Sequence, residues 1–173
     1  MPTIFSHAAV PIAIAIGTRR IPRRLLVAGV VASIIPDLDT IGFRFGVAYA
    51  HEFGHRGFTH SLVFAFALAI FAALFAPELR TKRMTAFTFI FIATASHGLL
   101  DMFTNGGLGI ALFWPFTDVR YFFPLRMIDV SPISLHGFFG QAGIRALKSE
   151  LRWIWVPALI LSGAVYLRRR RSR

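Results

Sequence analysis

The sequence contains no cysteine. Disulfides and thiolate metal sites are therefore excluded. A metal ion in this protein would have to be bound by imidazole and carboxylate groups, and that donor set suits Zn²⁺, Mn²⁺ or Fe. Because cysteine usage is the main sequence guide to the redox compartment, its absence leaves the compartment open.

Charged residues are also scarce, at 16% of the 173 residues, whereas soluble domains usually contain about a quarter. Hydrophobic residues make up 55%, and phenylalanine alone occurs 19 times. A small soluble core cannot comfortably bury so much aromatic surface. This composition predicts an all-α, polytopic membrane protein that forms one domain over residues 1–173.

Acidic residues are the rarer sign of charge, with 8 Asp and Glu against 19 Lys and Arg, a net charge of +11. A basic protein binds nucleic acid when its charges form one face. Here the basic residues instead occur in short runs between apolar stretches, at 19–24, 78–83 and 168–173. We therefore expect membrane lipids, and no nucleic acid, as partners, with the C-terminal run touching anionic lipid.

Five stretches are apolar enough to be membrane helices, namely 3–18, 24–40, 59–77, 84–102 and 151–168. A spanning helix needs about 20 residues. The first two are short, and the alternative for them is a tilted or re-entrant hairpin covered by protein. The start of the chain lacks the basic residues of a signal peptide, so we expect the first stretch to remain in the mature protein.

The basic runs also predict the orientation of these helices. Cytoplasmic connections carry an excess of Lys and Arg. If the three basic runs are cytoplasmic, five spans leave the N-terminus outside and the C-terminus inside. The longer opposite connections hold fewer basic residues for their length, which agrees with this orientation.

Polar residues interrupt the apolar stretches at one side only. With this topology, four of the predicted helices carry such residues to their outer ends. The topology was derived from Lys and Arg alone, so it did not require these other polar residues to lie on one side. Ionisable groups at membrane depth indicate a function. We predict that these side chains bind one or two divalent ions, with Zn²⁺ favoured and Mn²⁺ or Fe as alternatives: His7, Asp37, Asp39, His55, His60, His97 and Asp101.

The spacing of these residues has physical content. His97 and Asp101 are four apart, so they lie on one helix face, where they chelate one ion or the carboxylate orients the imidazole. Asp37 and Asp39 cannot share a helix face, but the preceding proline is expected to disturb the helix so that both point into one cavity. A glycine between His55 and His60 allows a turn that brings the two histidines together.

The chain resembles the YdjM-type family, which is described as inner-membrane, metal-dependent hydrolases. The resemblance lies in His7 and in Pro36-Asp37-Leu38-Asp39, His55-Arg56-Gly57-Phe58-Thr59-His60-Ser61, His97-Gly98-Leu99-Leu100-Asp101 and Trp114-Pro115-Phe116. It covers roughly residues 1–125, and its most specific part is His-Arg-Gly-x-Thr-His-Ser. Residues 126–173, an amphipathic segment with the last helix and the basic tail, match no motif of the family. The resemblance implies a hydrolase whose substrate is largely undefined.

The leading hypothesis is a membrane-bound, metal-dependent hydrolase of a lipid or lipid-linked phosphoester, with a phosphoesterase favoured over a protease. A bound ion would activate water at the outer membrane interface. Asp37 or Asp39 would act as general base, and Arg56 would stabilise negative charge developing on a phosphate.

Two other classes of function stay open. A metal or proton transporter would place its ligands through the depth of the membrane, whereas these candidates lie near one side. A non-catalytic adaptor with a structural metal would need only about four donors. The aromatic residues of 113–123 are expected to form an interfacial belt, with a groove for an acyl chain as the alternative.

Overall fold

The fold is an assembly of helices, seen in a computed structural model that describes residues 1–132 and 134–171. The main helices are α1 (Ile4–Thr18), α2 (Arg23–Ala32), α3 (Leu62–Leu74), α4 (Arg83–Met102) and α5 (Gln141–Arg171). The 3₁₀ segments Ile35–Phe45 and Phe58–His60 and the helical turn Leu135–Phe138 lie between them. Among the described residues, β-type pairing is limited to two isolated bridges. The predicted all-α class is confirmed.

Three helical stretches are long and apolar enough to cross a membrane. They are α4, α5 and Arg23–Phe45, which joins α2 to the 3₁₀ segment that follows it. The other two apolar helices, α1 and α3, are shorter. These stretches fit a polytopic membrane protein, but the predicted number of five spanning helices is not confirmed.

Helix α3 is shorter than the predicted stretch 59–77. Ser61 has extended dihedrals and its hydroxyl accepts the N–H of Phe64 at 3.1 Å, so it caps a helix that begins at Leu62. The helix ends at Leu74, shortly before Pro77, and proline disfavours helical dihedrals in the residue before it. Its 13 residues rise only about 20 Å, against roughly 30 Å of hydrocarbon in a bilayer. The boundaries 59–77 were therefore wrong for this helix.

Small residues allow α2, α3 and α4 to pack closely. The core between these helices contains Ala69, Ala86 and Phe89. A Cβ atom on Gly29 of α2 would lie 2.3 Å from a ring carbon of Phe89, so only glycine fits at this crossing. Small residues at helix contacts are typical of membrane proteins, where close backbone approach replaces hydrophobic driving force.

The basic runs meet at one end of the helices. The Arg24 guanidinium, in the first turn of α2, donates to the carbonyl of Glu78 in the α3–α4 connection at 3.0 Å. Arg169 of α5 donates to the carbonyl of Thr18 at the end of α1 at 3.2 Å. The three basic runs therefore lie together, at the end of α1 opposite His7. Ser172 and Arg173 of the predicted tail lie outside the described residues.

Helix α5 begins ten residues before the predicted start at 151. Its first part, Gln141–Glu150, is continuous with the π-helical turn Leu151–Trp155 and then with the apolar part of the helix. This extension carries Glu150 into the interior, where 1% of its surface is exposed. The position of Glu150 matters for the site described below.

Two long connections cover the end of the helices where His7 and His97 lie. The guanidinium of Arg120 in the later connection donates to the carbonyls of Ala50, His51 and His55 in the earlier one, at 3.0–3.3 Å. Trp114 packs edge-on against Phe58 with ring centroids 5.0 Å apart. The connections are thereby tied to each other above the polar residues at this end.

Candidate metal centre

Four segments of the chain bring the predicted residues to one buried place. Helix α1 supplies His7, the 3₁₀ segment Ile35–Phe45 supplies both aspartates, and α4 supplies its His-x-x-x-Asp pair. The connection before α3 and its 3₁₀ turn supply the remaining residues. Each of the seven predicted donors lies within 4 Å of at least one other, and together they form one connected cluster: His7, Asp37, Asp39, His55, His60, His97 and Asp101.

Four of these residues form a compact donor group, which we call the central group: Asp37, His60, His97 and Asp101. One ligand atom from each lies within 4.8 Å of all the others. The Nε2 atoms of His60 and His97 are 3.0 Å apart. His97 Nε2 is 3.3 Å from Asp37 Oδ1, and His60 Nε2 is 3.4 Å from Asp101 Oδ2. Donors that share a tetrahedral ion at about 2.1 Å lie roughly 3.4 Å apart, so this group fits one divalent ion.

His7 approaches the two carboxylates from their other oxygens. Its Nε2 lies 3.7 Å from Asp37 Oδ2 and 3.9 Å from Asp101 Oδ1. The ring also stacks on His97, with centroids 3.6 Å apart. Each carboxylate therefore presents one oxygen to the central group and one to His7. This arrangement is compatible with the prediction of one or two ions.

The buried polar atoms of the site lack ordinary partners. Both oxygens of Asp37, both of Asp101 and both ring nitrogens of His7 accept or donate no hydrogen bond. His7 and Asp101 are fully buried, and only 5% of Asp37 is exposed. Of the two carboxylates, Asp101 has the Arg56 guanidinium beside it, with Nε 3.1 Å from Oδ2. Burying a carboxylate costs several kcal/mol unless a cation or donors compensate. Their chemistry and spacing fit a metal ion, which would satisfy these atoms together.

Hydrogen bonds at the second ring nitrogen orient two of the imidazoles. His97 Nδ1 lies 2.8 Å from the carbonyl oxygen of Ser33, which can only accept, so Nδ1 carries the proton. His60 Nδ1 lies 3.3 Å from Asp39 Oδ2. In both rings the Nε2 lone pair is then directed into the central group. Such outer contacts are typical of metal-binding histidines.

Asp39 lies behind the central group, where other residues saturate it. It accepts His55 Nδ1 at 2.7 Å, the Thr59 hydroxyl at 2.7 Å and the backbone N–H of Arg56 at 3.2 Å. Asp39, His55 and His60 also form a second, three-donor group. The contacts favour a positioning role for Asp39 and His55, and their predicted role as metal ligands stays a prediction.

Arg56 is fully buried, and its guanidinium contacts other groups of the protein. Its Nε lies 3.1 Å from Asp101 Oδ2, and its other nitrogens donate to the Gly106 carbonyl at 2.8 Å and the Thr104 hydroxyl at 2.9 Å. Gly107 has φ +85°, and a Cβ there would lie 2.7 Å from the guanidinium. Arg56 thus fixes Asp101, and its predicted contact with a substrate phosphate stays a prediction.

Two ionisable groups of the long connections are also perturbed. Burial raises the pKa of the Tyr49 hydroxyl and lowers the pKa of Arg120. Tyr49 packs edge-on against the His55 ring, with centroids 5.2 Å apart. The Tyr49 side chain is therefore uncharged at ordinary pH and packs against one side of the site.

An apolar groove of about 470 Å³ reaches the central group through one residue, Asp37. We call it the entrance groove, and its lining comprises Met1, Thr3, Ile4, Phe5, Asp37, Leu38, Thr40, Ser131, Pro132, Ser134, Phe138 and Phe139. Phe139 and Phe5 are 80% and 65% exposed. The groove therefore offers an apolar surface that leads to a metal-binding carboxylate.

Glu150 is a site residue that sequence reasoning missed. Its carboxylate accepts the backbone N–H of Thr3 at 2.6 Å and the hydroxyls of Thr3 and Ser6 at 2.5 Å. Trp155 donates to the Ser6 hydroxyl at 3.0 Å. Helix α5 thereby clamps the start of α1, next to His7. The available signal was a lone acidic residue directly before the last apolar run.

Several known proteins are similar to this chain in sequence. Inner membrane protein YbcI of Escherichia coli K12 is 42% identical over 173 residues, covering 98% of this chain and all of YbcI. Protein YvsG of Bacillus subtilis 168 is 34% identical over 61% of this chain and 66% of its own. Inner membrane protein YdjM of E. coli K12 is 35% identical over 51% of this chain and 47% of its own. No solved structure matches.

The family model described as YdjM inner membrane protein matches residues 1–171. This match extends beyond the resemblance over 1–125 and includes α5 with Glu150. The names of two relatives and the three candidate spans support the predicted membrane location, whereas the orientation of the termini stays a prediction. The chain belongs to the YdjM family of inner membrane proteins.

Proposed function

We propose that this protein is a membrane-bound, metal-dependent hydrolase of a lipid or lipid-linked phosphoester. The observation that carries the proposal is the double position of Asp37, which belongs to the central group and also lines the entrance groove. A structural metal site needs no such access. A substrate in the groove would meet the site at this carboxylate.

The residues of the site divide into those that bind and those that position. His60, His97 and Asp101 would hold a divalent cation together with Asp37, and His7 would contact the far side of the carboxylates. The chemistry that such a cation supplies is activation of a water molecule and polarisation of the phosphoryl oxygen under attack. Zn²⁺ is our first choice, with Mn²⁺ or Fe as alternatives.

Proton transfer requires a carboxylate that reaches the substrate. We assign it to Oδ2 of Asp37, because this oxygen faces His7 rather than the central group and accepts no protein hydrogen bond. Asp37 also lines the groove. Asp39 holds three donors already and is the weaker candidate for the base. Arg56 contributes a fixed positive charge beside Asp101, and this charge stabilises the negative charge of the Asp101 carboxylate.

The shape of the groove supports a lipidic substrate. Its rim carries exposed aromatic and aliphatic side chains, and Leu38, next to Asp37, is 53% exposed. An acyl or polyprenyl chain would bury this surface, at roughly 25 cal/mol per Å² of apolar area removed from water. The phosphoester would then lie at the carboxylate end of the groove.

The test combines metal content with hydrolysis. Purified wild type is compared with His60→Ala, Asp101→Ala and a matched control, His136→Ala, which changes an exposed histidine. We expect near-stoichiometric metal in wild type and control, and loss of the ion in both site variants. Wild type and control would also release phosphate from a lipid phosphoester, and both site variants would not.

The outcomes separate the competing classes. Bound metal without hydrolysis of phosphatidic acid or a polyprenyl phosphate would favour a structural metal and contradict the enzyme. Metal uptake into proteoliposomes that is abolished by Asp101→Ala would favour transport. A wild type that binds no metal after supplementation would overturn the shared site itself.

A further inference from the structure

A second cavity system lies at the opposite end of α1 from the metal centre. Its apolar part, which we call the α1–α5 groove, has a volume of about 290 Å³. It is lined by Val10, Ala13, Ile14, Gly17, Thr18, Ala158, Leu161, Ser162 and Val165. From Val10 to Thr18 the helix rises about 12 Å, so the groove is long enough to cover part of an alkyl chain.

Small residues form this groove. Gly17 lies directly against α5, where a Cβ would be 3.3 Å from the Ser162 carbonyl oxygen and from Val165 Cβ. Helices that approach so closely leave a furrow beside the contact wherever the neighbouring side chains are small. Leu161 is 66% exposed beside it. The α1–α5 groove is therefore a preformed apolar surface.

A cationic pocket of about 330 Å³ continues the groove. It shares Gly17 and Thr18 with the groove, and it is completed by Arg19, Tyr166, Arg169 and Arg170. The Arg19 guanidinium lies over the Tyr166 ring at 5.6 Å. Arg169 donates to the Thr18 carbonyl. Protein contacts thus hold two guanidinium groups at the mouth of the groove.

A second apolar branch begins at the same pocket. This cavity of about 600 Å³ shares Arg19 and Tyr166 with the cationic pocket and extends past Ile16, Ile21 and Leu26. The described residues that line the three cavities include no carboxylate. A cationic pocket between two apolar branches matches a phosphate group that carries two acyl chains.

We propose that this cavity system is a binding site for one anionic diacyl phospholipid. Its phosphate is held by Arg19, Arg169 and Arg170, and its chains lie in the two apolar branches. Along α1 the pocket is about 16 Å from His7, so this lipid is not the substrate of the metal centre. The proposal stands whether or not the protein is a hydrolase.

The test is native mass spectrometry of the full-length, delipidated protein in detergent. Phosphatidylglycerol or phosphatidylcholine is added at the same concentration, and the lipid-bound fraction is measured. For wild type we expect phosphatidylglycerol to bind at least tenfold more tightly. The double variant Arg19→Gln/Arg169→Gln should lose most of this preference, because the cationic pocket then lacks two of the three guanidinium groups that hold the phosphate.

A matched control removes the same charge elsewhere in the basic end. Lys82→Gln/Arg83→Gln changes two exposed residues at the start of α4 and should keep the wild-type preference. Equal losses in both double variants would show diffuse attraction and overturn the site. Equal binding of the two lipids to wild type would do the same.

Competition separates a lipid from a free phosphate. Glycerol phosphate in large excess should leave phosphatidylglycerol bound, because it has no chains for the apolar branches. Displacement by glycerol phosphate at a concentration similar to that of the lipid would overturn the lipid and indicate a small anion instead. Melting curves of the arginine variants should lie close to that of wild type, because contacts of exposed charged side chains contribute little to stability.

Discussion

At the scale of single residues, the site consists of buried groups whose charges balance only as a set. Asp101 is fully buried between His60, His7 and Arg56. Removing one member leaves the others without a partner in a low-dielectric place, where an unpaired buried charge is expensive. Substitutions within this set should therefore alter stability as well as metal binding.

Asp101→Asn tests this coupling. It keeps the shape but leaves the Arg56 guanidinium without its carboxylate. We expect loss of the ion and a decrease of about 3–5 kcal/mol in the free energy of unfolding, seen as a melting temperature lower by roughly 6–20 °C. Asp118→Asn, at an exposed position, should leave both quantities unchanged. An unchanged melting temperature in Asp101→Asn would contradict the coupling.

Asp39→Asn distinguishes a positioning carboxylate from a ligand. Asp39 holds His55 and Thr59 through hydrogen bonds. Loss of an outer partner weakens metal binding by about 10–100-fold. We expect this decrease in affinity by calorimetry, with full stoichiometry at saturating metal. If the variant bound fewer ions even at saturation, Asp39 would be a ligand, as predicted from the sequence.

At the scale of elements, the important contact joins the first helix to the last. Glu150 of α5 accepts three hydrogen bonds from Thr3 and Ser6, just before His7. His7 follows directly on these residues, so the contact with α5 fixes the position of His7 relative to the other donors. The final helix is therefore part of the site without providing a donor to it.

Glu150→Gln should disturb this clamp. The amide keeps one oxygen, so either the Thr3 N–H or both the Thr3 and Ser6 hydroxyls lose a charged acceptor, which contributes about 1.5–3 kcal/mol per bond. We expect a lower melting temperature. We also expect weaker metal binding by calorimetry, with an unchanged number of bound ions. Glu78→Gln, at an exposed position, is the matched control. Unchanged metal affinity in Glu150→Gln would show that α5 does not position His7.

The sequence predicted the meeting of the donors better than it predicted the helices that carry them. Polar residues at membrane depth must face protein, so His7, His97 and Asp101 had few other places to lie. The start of α3 depends on a serine cap and its end on Pro77, and both residues lie inside an uncharged run. Glu150 was missed because its partners are about 145 residues away. The contacts of Asp39 depend on side-chain geometry that spacing does not reveal.

At the scale of the whole molecule, the protein has two chemically different ends. The metal centre and the entrance groove lie at one end. The three basic runs lie at the other, joined through Arg24 and Arg169. Since Lys and Arg favour the cytoplasmic side, this arrangement agrees with the predicted orientation, with the N-terminus outside and the C-terminus cytoplasmic.

The absence of cysteine makes this orientation directly testable. Single cysteines are introduced at two exposed connection residues, as Arg80→Cys and Asp118→Cys. In intact cells, a membrane-impermeant maleimide should label Asp118→Cys. Arg80→Cys should react only after permeabilisation. The reverse pattern would place the metal centre on the cytoplasmic side, and the cysteine-free parent reports background labelling.

The clamp between Glu150 and the start of α1 also has a consequence for biogenesis. Helix α1, which carries His7, leaves the ribosome before α5, which carries Glu150. The donors of the central group are complete once residue 101 has been synthesised, but His7 is not fixed until the final helix packs. Loading of metal in the cell is therefore expected to finish only after α5 has been synthesised and has packed against α1.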